Sequence, residues 1–258
     1  MPETTRLLAI ETSTDTLSVA LGSGAPGGAM WLHSGPGGAQ ASATLLPLVR
    51  DLLNQADWPL ASLDAVVFGR GPGSFTGLRT ACAVAQGLAY GARPGGIPVL
   101  PVDTLLALAE EARHATEQRG EPLPGHIVVL LDARMSELYV APYALSADGL
   151  RALAPARLCA PADLAGYLDG VLPVGPIPLL VGNALHAYPD LLTSVRGAHA
   201  SALPTASALL RLAPRLLAGG GGLAARDALP LYVRDKVAKT TAEREGQRTA
   251  VRNAEVTP

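Results

Sequence analysis

The apolar residues of this chain fall into short continuous runs that alternate with longer stretches in which they recur every three or four positions. A short apolar run bounded by turn residues predicts a buried strand, and the longer period predicts an amphipathic helix. The first part of the chain accordingly has three strands, a helix, a strand and a helix. Their predicted bounds are 7–13, 17–22, 29–33, 42–55, 63–68 and 76–90. A strand at 99–102 then leads into a helix that Asp103 is expected to cap.

The same order of elements begins again near residue 127. The predicted bounds are 127–131, 138–143 and 150–158 for three strands, 161–168 for a helix, 179–181 for a strand and 184–192 for a helix. Two tandem βββαβα units predict an α/β protein with a duplicated ribonuclease-H-like fold, a mixed sheet in each lobe and a cleft between the lobes. We place the first lobe at 1–101, with the apolar helix 205–218 as a candidate to complete it, and the second lobe at 102–204.

The loop between the strand at 63–68 and the helix at 76–90 is rich in glycine. Glycine occupies positions 69, 71 and 73, and Pro72 among them has no backbone N–H to donate to a sheet. The strand must therefore end there, and Ser74 and Thr76 supply hydroxyls that can cap the helix. The spacing GxGxxxG, with no Lys-Ser/Thr pair at its end, favours close backbone packing over phosphate binding.

The helix that follows this loop is apolar on too many sides for one sheet to cover. Small residues form two stripes along it: Gly77, Ala81 and Ala85 on one, and Ala83, Gly87 and Gly91 on the other. Both stripes permit a close backbone approach, so one can face the sheet and the other a second helix, from this chain or from another. A helix enclosed entirely within its own chain fits the pattern equally well.

Composition and charge narrow the possible functions. The net charge is −2 and the body of the chain has no block of Lys or Arg, so contact with RNA would need a partner. Cys82 and Cys159 are far apart in the sequence, as expected of buried thiols in a reducing compartment.

Without a signal segment or an apolar run of membrane-spanning length, we expect a cytoplasmic protein with no membrane contact. Residues 236–258 are charged and lack apolar periodicity, which predicts a disordered tail.

Few residues in the sequence have the type and spacing that a catalytic or metal site requires. No two of the five histidines are three to five residues apart, so we expect neither a metal site nor a bound cofactor. Glu11 and Asp15 stand where a duplicated ribonuclease-H fold has its first phosphate loop, but Ser13 and its neighbours include no glycine. That loop is therefore a weak candidate for nucleotide binding.

A second weak candidate is the turn that opens the second lobe. Asp132, Arg134 and Glu137 either face the cleft beside Glu11 or are ordinary charged residues of a hairpin turn, and the second interpretation is favoured. If the chain did bind a cofactor, the residues expected to contact it would be Glu11, Ser13, Asp132 and Arg134.

Several sequence blocks resemble the TsaB (YeaZ) family. They are LAIETS at 8–13, GRGPGSFTGLR at 69–79 with AQGLA at 85–89, DARMSELY at 132–139, VGN at 181–183 and PLYVR at 230–234. They follow the family order over about residues 7–235. The resemblance implies a two-lobed actin-like ATPase fold. It also implies a non-catalytic subunit in the formation of threonylcarbamoyladenosine in tRNA, next to the anticodon.

The resemblance implies partners as well. In that family the chain pairs with a catalytic paralogue, TsaD, which holds the metal and the nucleotide, and an ATPase subunit, TsaE, joins them. The family also forms homodimers, and tRNA would be reached only through the complex. This chain departs from the family pattern at Glu11, where the usual residue is Asp, and at Ala41-Ser42-Ala43, where the usual sequence is His-Ser-Glu.

We predict that the helix at 76–90 and the loop before it form the partner interface. The predicted interface residues are Arg70, Pro72, Ser74, Phe75, Thr76, Gly77, Arg79, Thr80, Ala83, Val84 and Gly87. Ala83 and Gly87 would permit a close helix crossing, and Arg79 and Thr80 would make polar contacts at its rim. The alternative class is an enzyme, either an actin-like-fold ATPase or kinase or a glycoprotease-type metallopeptidase.

Overall fold

The structure is a computed structural model that describes residues 5–234, so the predicted tail at 236–258 lies outside the described residues. Its first five strands are β1 (Leu7–Glu11), β2 (Thr16–Gly22), β3 (Met30–Pro36), β4 (Ala65–Gly71) and β5 (Val99–Asp103). They form one mixed sheet in the order β3-β2-β1-β4-β5. Within it β2 is antiparallel to β1 and β3, whereas β4 is parallel to β1 and β5.

The second sheet repeats this arrangement. Its strands are β6 (His126–Asp132), β7 (Leu138–Ser146), β8 (Gly149–Ala152), β9 (Arg157–Cys159), β10 (Leu179–Val181) and β11 (Ala198–Ala200). The order is β11-β10-β6-β7-β8, and β9 also pairs with β7. The central strand β6 is antiparallel to β7 and parallel to β10. In the first sheet, β1 is likewise antiparallel to β2 and parallel to β4. The predicted duplicated ribonuclease-H-like fold is therefore confirmed.

Seven α-helices cover the two sheets within the described residues. They are α1 (Ala41–Ala56), α2 (Phe75–Gly91), α3 (Thr104–Gln118), α4 (Leu164–Val171), α5 (Ala184–Ala187), α6 (Leu191–Ser194) and α7 (Ala206–Ala218). Both faces of the central strands are buried, which explains their continuous apolar sequences. On β1, Leu8 and Ile10 share a core with α1 and α2, while Leu7 and Ala9 share another with α7.

The helices α3 and α7 connect the lobes. Although α3 follows the first sheet, most of its buried apolar residues join the core beneath the second sheet. Conversely, α7 follows the second sheet and packs beneath the first. Arg211 on α7 forms ion pairs with Glu110 at 3.0 Å and Glu111 at 2.6 Å on α3, which links the two helices. We propose that the lobes divide near Pro101 and that α7 completes the first lobe.

Three local predictions need correction. The strand predicted at 150–158 is two short strands, β8 and β9. The helix predicted at 184–192 breaks into α5 and α6 because Pro189 disfavours a helical conformation at Tyr188, which has φ −131° and ψ 76°. Asp103 does precede α3, but its carboxylate accepts a hydrogen bond from Arg70 Nε at 2.5 Å and makes no capping bond.

Candidate functional site

The glycine-rich loop packs directly against the end of β1. Ser74 N donates to Ser13 O at 2.7 Å, and Thr12 Oγ1 donates to Gly77 O at 2.8 Å. A Cβ at Gly77 would overlap the Thr12 carbonyl oxygen, and a Cβ at Gly73 would lie 2.7 Å from the Ser13 Cβ. Only glycine permits this approach, so the prediction that these glycines serve close packing is confirmed.

Glu11 is buried beneath this loop and does not line the cleft. Its side chain is almost wholly excluded from solvent, and Oε1 accepts a hydrogen bond from Ser13 N at 2.6 Å. No hydrogen-bond partner reaches Oε2 within the part of the chain that the structure describes. Burial raises the pKa of the Glu11 carboxyl, and hydrogen bonding from Ser13 only partly opposes this effect. Asp132 and Arg134 do line the cleft, as the less favoured interpretation has them, but Glu11 is buried behind the cleft wall and not beside them.

The cleft between the lobes encloses a cavity of about 340 Å³. Among the residues that line it are Ser13, Asp15, Ser74, Asp132, Arg134 and Asn183. Arg134 Nη2 reaches across the cleft to Asp15 Oδ2 at 2.9 Å. Asn183 Oδ1 accepts a hydrogen bond from Asp132 N at 2.8 Å and so joins β10 to the end of β6. Of the four weak cofactor candidates, the structure brings Ser13, Asp132 and Arg134 together and leaves Glu11 behind them.

The turn after β6 has an unusual backbone. Arg134, Met135 and Ser136 all have left-handed conformations, with φ of 62°, 57° and 58°. Such conformations cost non-glycine residues free energy and persist only where surrounding contacts hold them. Arg134 N donates to Asp132 Oδ1 at 2.8 Å, and Glu137 N donates to Arg134 O at 3.1 Å. The turn does join the antiparallel strands β6 and β7, as the favoured hairpin interpretation expects, but its backbone conformation is unusual.

The helix α2 is covered on one side only. Its buried residues are Gly77, Leu78, Ala81, Cys82, Ala85 and Ala89. On the opposite side Ala83, Gly87 and Gly91 are exposed, and among residues 5–234 no atom lies within 4 Å of a Cβ built at either glycine. The described residues therefore do not enclose α2, in contrast to the alternative of a helix enclosed within its own chain. We call the exposed residues Thr76, Ala83, Gly87, Tyr90 and Gly91 the outer face of α2.

The predicted interface residues divide by exposure. Phe75, Thr76, Arg79, Ala83 and Gly87 are exposed, and Arg70, Ser74, Thr80 and Val84 are partly buried. Pro72 and Gly77 are buried inside the chain, so their prediction as interface residues needs correction. Both belong to the tightly packed loop, and sequence alone could not separate the inward-facing members of the motif from the outward-facing ones.

An aromatic and arginine cluster lies at the start of α2. The Phe75 and Tyr232 rings are 5.2 Å apart, and the Arg79 guanidinium lies 3.9 Å from the centre of the Phe75 ring. Arg79 Nε also donates to the Tyr232 hydroxyl at 3.1 Å. Sequence reasoning assigned no role to Tyr232 or Arg234, although both lie in the PLYVR block. Their sequence offers no periodicity that would reveal contacts about 150 residues away along the chain.

Several expected features can be compared with the described residues. Cys82 and Cys159 are buried free thiols, as predicted. Residues 5–234 contain no cluster of three or more His, Cys, Asp or Glu arranged to hold a metal ion. In the same part of the chain, no helix has the length and hydropathy needed to cross a bilayer.

Comparison with known proteins yields consistent matches. A family model described as TsaD, tRNA N6-adenosine threonylcarbamoyltransferase, matches residues 37–241. The chain is 31% identical over 236 residues to the tRNA threonylcarbamoyladenosine biosynthesis protein TsaB of Escherichia coli, covering 90% of this chain and 96% of that protein. The protein of the same name from Haemophilus influenzae is 30% identical over 246 residues, with 90% and 94% covered. The structure of YeaZ from Pseudomonas aeruginosa superposes with a TM-score of 0.74 at 34% identity, covering 88% of this chain and 99% of that chain.

Proposed function

The chain belongs to the TsaB (YeaZ) family, and we propose that it takes part in the synthesis of threonylcarbamoyladenosine in tRNA. Within that process we propose a non-catalytic role: the chain binds a TsaD-like catalytic paralogue and supports its modification of the adenosine next to the anticodon. The observation that carries this proposal is the outer face of α2, where small residues are exposed along a helix whose other side is fully packed.

The geometry of α2 supports a helix as the occupant of this face. Helices approach most closely where the residues at the crossing are small, and Ala83 and Gly87 lie one turn apart on the exposed side. Aromatic and arginine side chains are enriched in protein interfaces, and Phe75 and Arg79 lie at the start of the same helix. A partner helix could therefore cross at Ala83 and Gly87 and contact this cluster at one end.

The environment of Glu11 weakens the ATPase or kinase alternative. A phosphate-binding loop must offer free backbone N–H groups, whereas the Ser13 N–H already donates to Glu11. Glu11 is also buried behind the cleft wall, so its carboxyl does not face the cavity in which a nucleotide would lie. These contacts are typical of a strand end that packs within the protein core and does not bind a ligand.

We further propose the remaining partners of the complex. A TsaE-like ATPase would join the pair, and the chain would form a homodimer when its paralogue is absent. The tRNA would be reached only through the complex, in the cytoplasm. The homodimer and the heterodimer would both use α2, because its outer face is the stripe that permits close helix packing.

The proposal is tested by replacing Gly87 with Glu. A long charged side chain would hold two helices apart and place a charge in a dry contact, which usually costs several kcal/mol. We expect Gly87→Glu to be a folded monomer by circular dichroism and light scattering. It should neither retain the TsaD-like paralogue in a pull-down nor restore threonylcarbamoyl transfer to tRNA in a reconstituted mixture.

The matched control is Gly166→Glu, since Gly166 is also an exposed helical glycine with no atom near its Cβ position but lies on α4 in the second lobe. This variant should associate and support transfer as the unmodified chain does. A folded Gly87→Glu variant that still binds the paralogue would place the interface elsewhere. A wild-type chain that does not bind the paralogue at all would overturn the proposed role.

A further inference from the structure

Residues 228–234, here called the strap, run along the first lobe toward the cleft. Both Cys82 Sγ and Gln86 Nε2 on α2 donate to Ala228 O, at 3.4 and 3.0 Å. Leu231 N donates to Arg70 O at 2.7 Å. The strap is seated so closely that a Cβ at Gly71, where φ is 123°, would overlap the Leu231 carbonyl oxygen. The first five residues of the strap are thus fixed to the first lobe.

The last two residues of the strap contact the second lobe. Val233 packs against the hydrophobic core beneath the second sheet. Arg234 Nη2 forms an ion pair with Glu137 Oε2 at 2.6 Å and donates to Arg134 O at 3.3 Å. Arg234 Nη1 lies 3.4 Å from Met135 Sδ. The strap therefore bridges the two lobes across one side of the cleft.

Arg234 contacts the turn at 134–136, whose left-handed backbone persists only where surrounding contacts hold it. Its guanidinium contacts Arg134 and Met135 of the left-handed residues 134–136, and Arg134 O accepts hydrogen bonds from both Glu137 N and Arg234. The Arg234 side chain is only 15% exposed, whereas the Arg134 and Asp15 side chains, which also join the lobes, are 71% and 84% exposed. The Glu137 side chain is 39% exposed, so the Arg234–Glu137 ion pair is the better shielded of the two and is expected to contribute more than the exposed pair.

We propose that the strap is a latch, in which Arg234 holds residues 134–136 in their left-handed conformation and thereby keeps the two lobes closed over the cleft. When Arg234 leaves Glu137, the turn relaxes to a conformation with negative φ, and the cleft loses its strongest contact at that side. The latch is a property of the single chain, and no partner is needed for it to operate.

Hydrogen exchange of the full-length chain tests the latch. In Arg234→Ala the hydrogen-bonded amides of Ala133, Arg134 and Glu137 should exchange about tenfold faster, as expected for the loss of one charge-assisted hydrogen bond. Glu137→Gln should have the same effect, and the double variant should add little to either. The amides of α2 should be unchanged. Arg226→Ala is the control, because Arg226 is 87% exposed and its ion pair, with Asp227, is 3.8 Å long.

A distance measurement tests the closure itself. Spin labels at Gln55→Cys and Asp190→Cys place one probe on each lobe away from the outer face of α2, while the native cysteines are buried. The Arg234→Ala background should lengthen and broaden the distance distribution, and the Arg226→Ala background should not. Unchanged exchange at 133–137, an unchanged distance, or faster exchange spread evenly over both lobes would each overturn the proposal.

Discussion

The carboxyl group of Glu11 occupies the space next to Gly69 where any other residue would place its Cβ. A Cβ at residue 69 would overlap Glu11 Oε2 and lie 3.0 Å from Oε1. Glu11 is on β1 and Gly69 is on the adjacent strand β4, so this contact joins the two central strands of the first lobe. The glycine motif therefore begins with a residue that accommodates a buried carboxyl.

Gly69→Ala should destabilise the protein because the added methyl group has no room beside this carboxyl. We expect the free energy of unfolding to fall by about 1–3 kcal/mol, the usual cost of overpacking a buried site. Urea denaturation of the two proteins would measure the difference. Gly125→Ala is the matched control, since its nearest neighbour is 3.8 Å from the Cβ position. Equal stability of Gly69→Ala and wild type would show that Glu11 can move aside freely.

Glu11 should also make stability depend on pH. Burial raises its folded pKa above the unfolded value of 4.5, so the folded state keeps a proton that the unfolded state loses between these two values. The free energy of unfolding should therefore fall as the pH rises from 4.5 through the folded pKa, by at most about 1.4 kcal/mol per pH unit.

Glu11→Gln removes this titration and keeps an oxygen that can accept from Ser13 N. Denaturation of both proteins at several values between pH 4 and pH 9 should show a shallower decline for the variant. A parallel decline in the two proteins would mean that Glu11 is not the group responsible.

Two glycines of α2 should respond oppositely to alanine. Gly77→Ala should cost about 3 kcal/mol, because its Cβ would overlap the Thr12 carbonyl oxygen, a backbone atom that cannot easily shift. Gly87→Ala should stabilise the monomeric chain by about 0.5–1 kcal/mol, because alanine is the better helix former and no described residue has an atom within 4 Å of its Cβ. Thermal or urea denaturation of the separate monomers would measure both. Similar losses in the two variants would indicate that the outer face is not free.

The ion pairs between α3 and α7 provide a further test. The Glu110 side chain is 7% exposed and accepts from both Arg113 and Arg211, at 2.7 and 3.0 Å. Glu110→Gln should lower the free energy of unfolding by about 2–3 kcal/mol, since it leaves two partly buried guanidinium groups without their shared counter-charge. Glu121→Gln, which alters an exposed pair with Arg119, should have little effect. Equal effects in urea denaturation would show that the α3–α7 network is unimportant for stability.

The sequence by itself determined the type and order of most elements. The strand β10 was predicted with its observed bounds, and α2 within one residue at each end, because continuous apolar runs and small-residue stripes report burial through local periodicity. The βββαβα repeat also predicted the fold class. In the glycine-rich loop, the absence of a phosphate-loop pattern correctly indicated close packing, because a Cβ is excluded there by neighbouring backbone.

Only the tertiary structure decided which surfaces those elements meet. The expected lobe bounds already placed α3 in the second lobe and offered α7 as part of the first. Periodicity identifies the apolar side of a helix but not the sheet that covers it, so the cores that α3 and α7 join are seen only in the structure. Three further features depend on residues that are far apart in the chain. They are the position of Glu11 behind the cleft, the left-handed turn at 134–136 and the bridge from Arg234 to Glu137. Such contacts leave no local signal, because each forms only when the folded lobes bring its partners together.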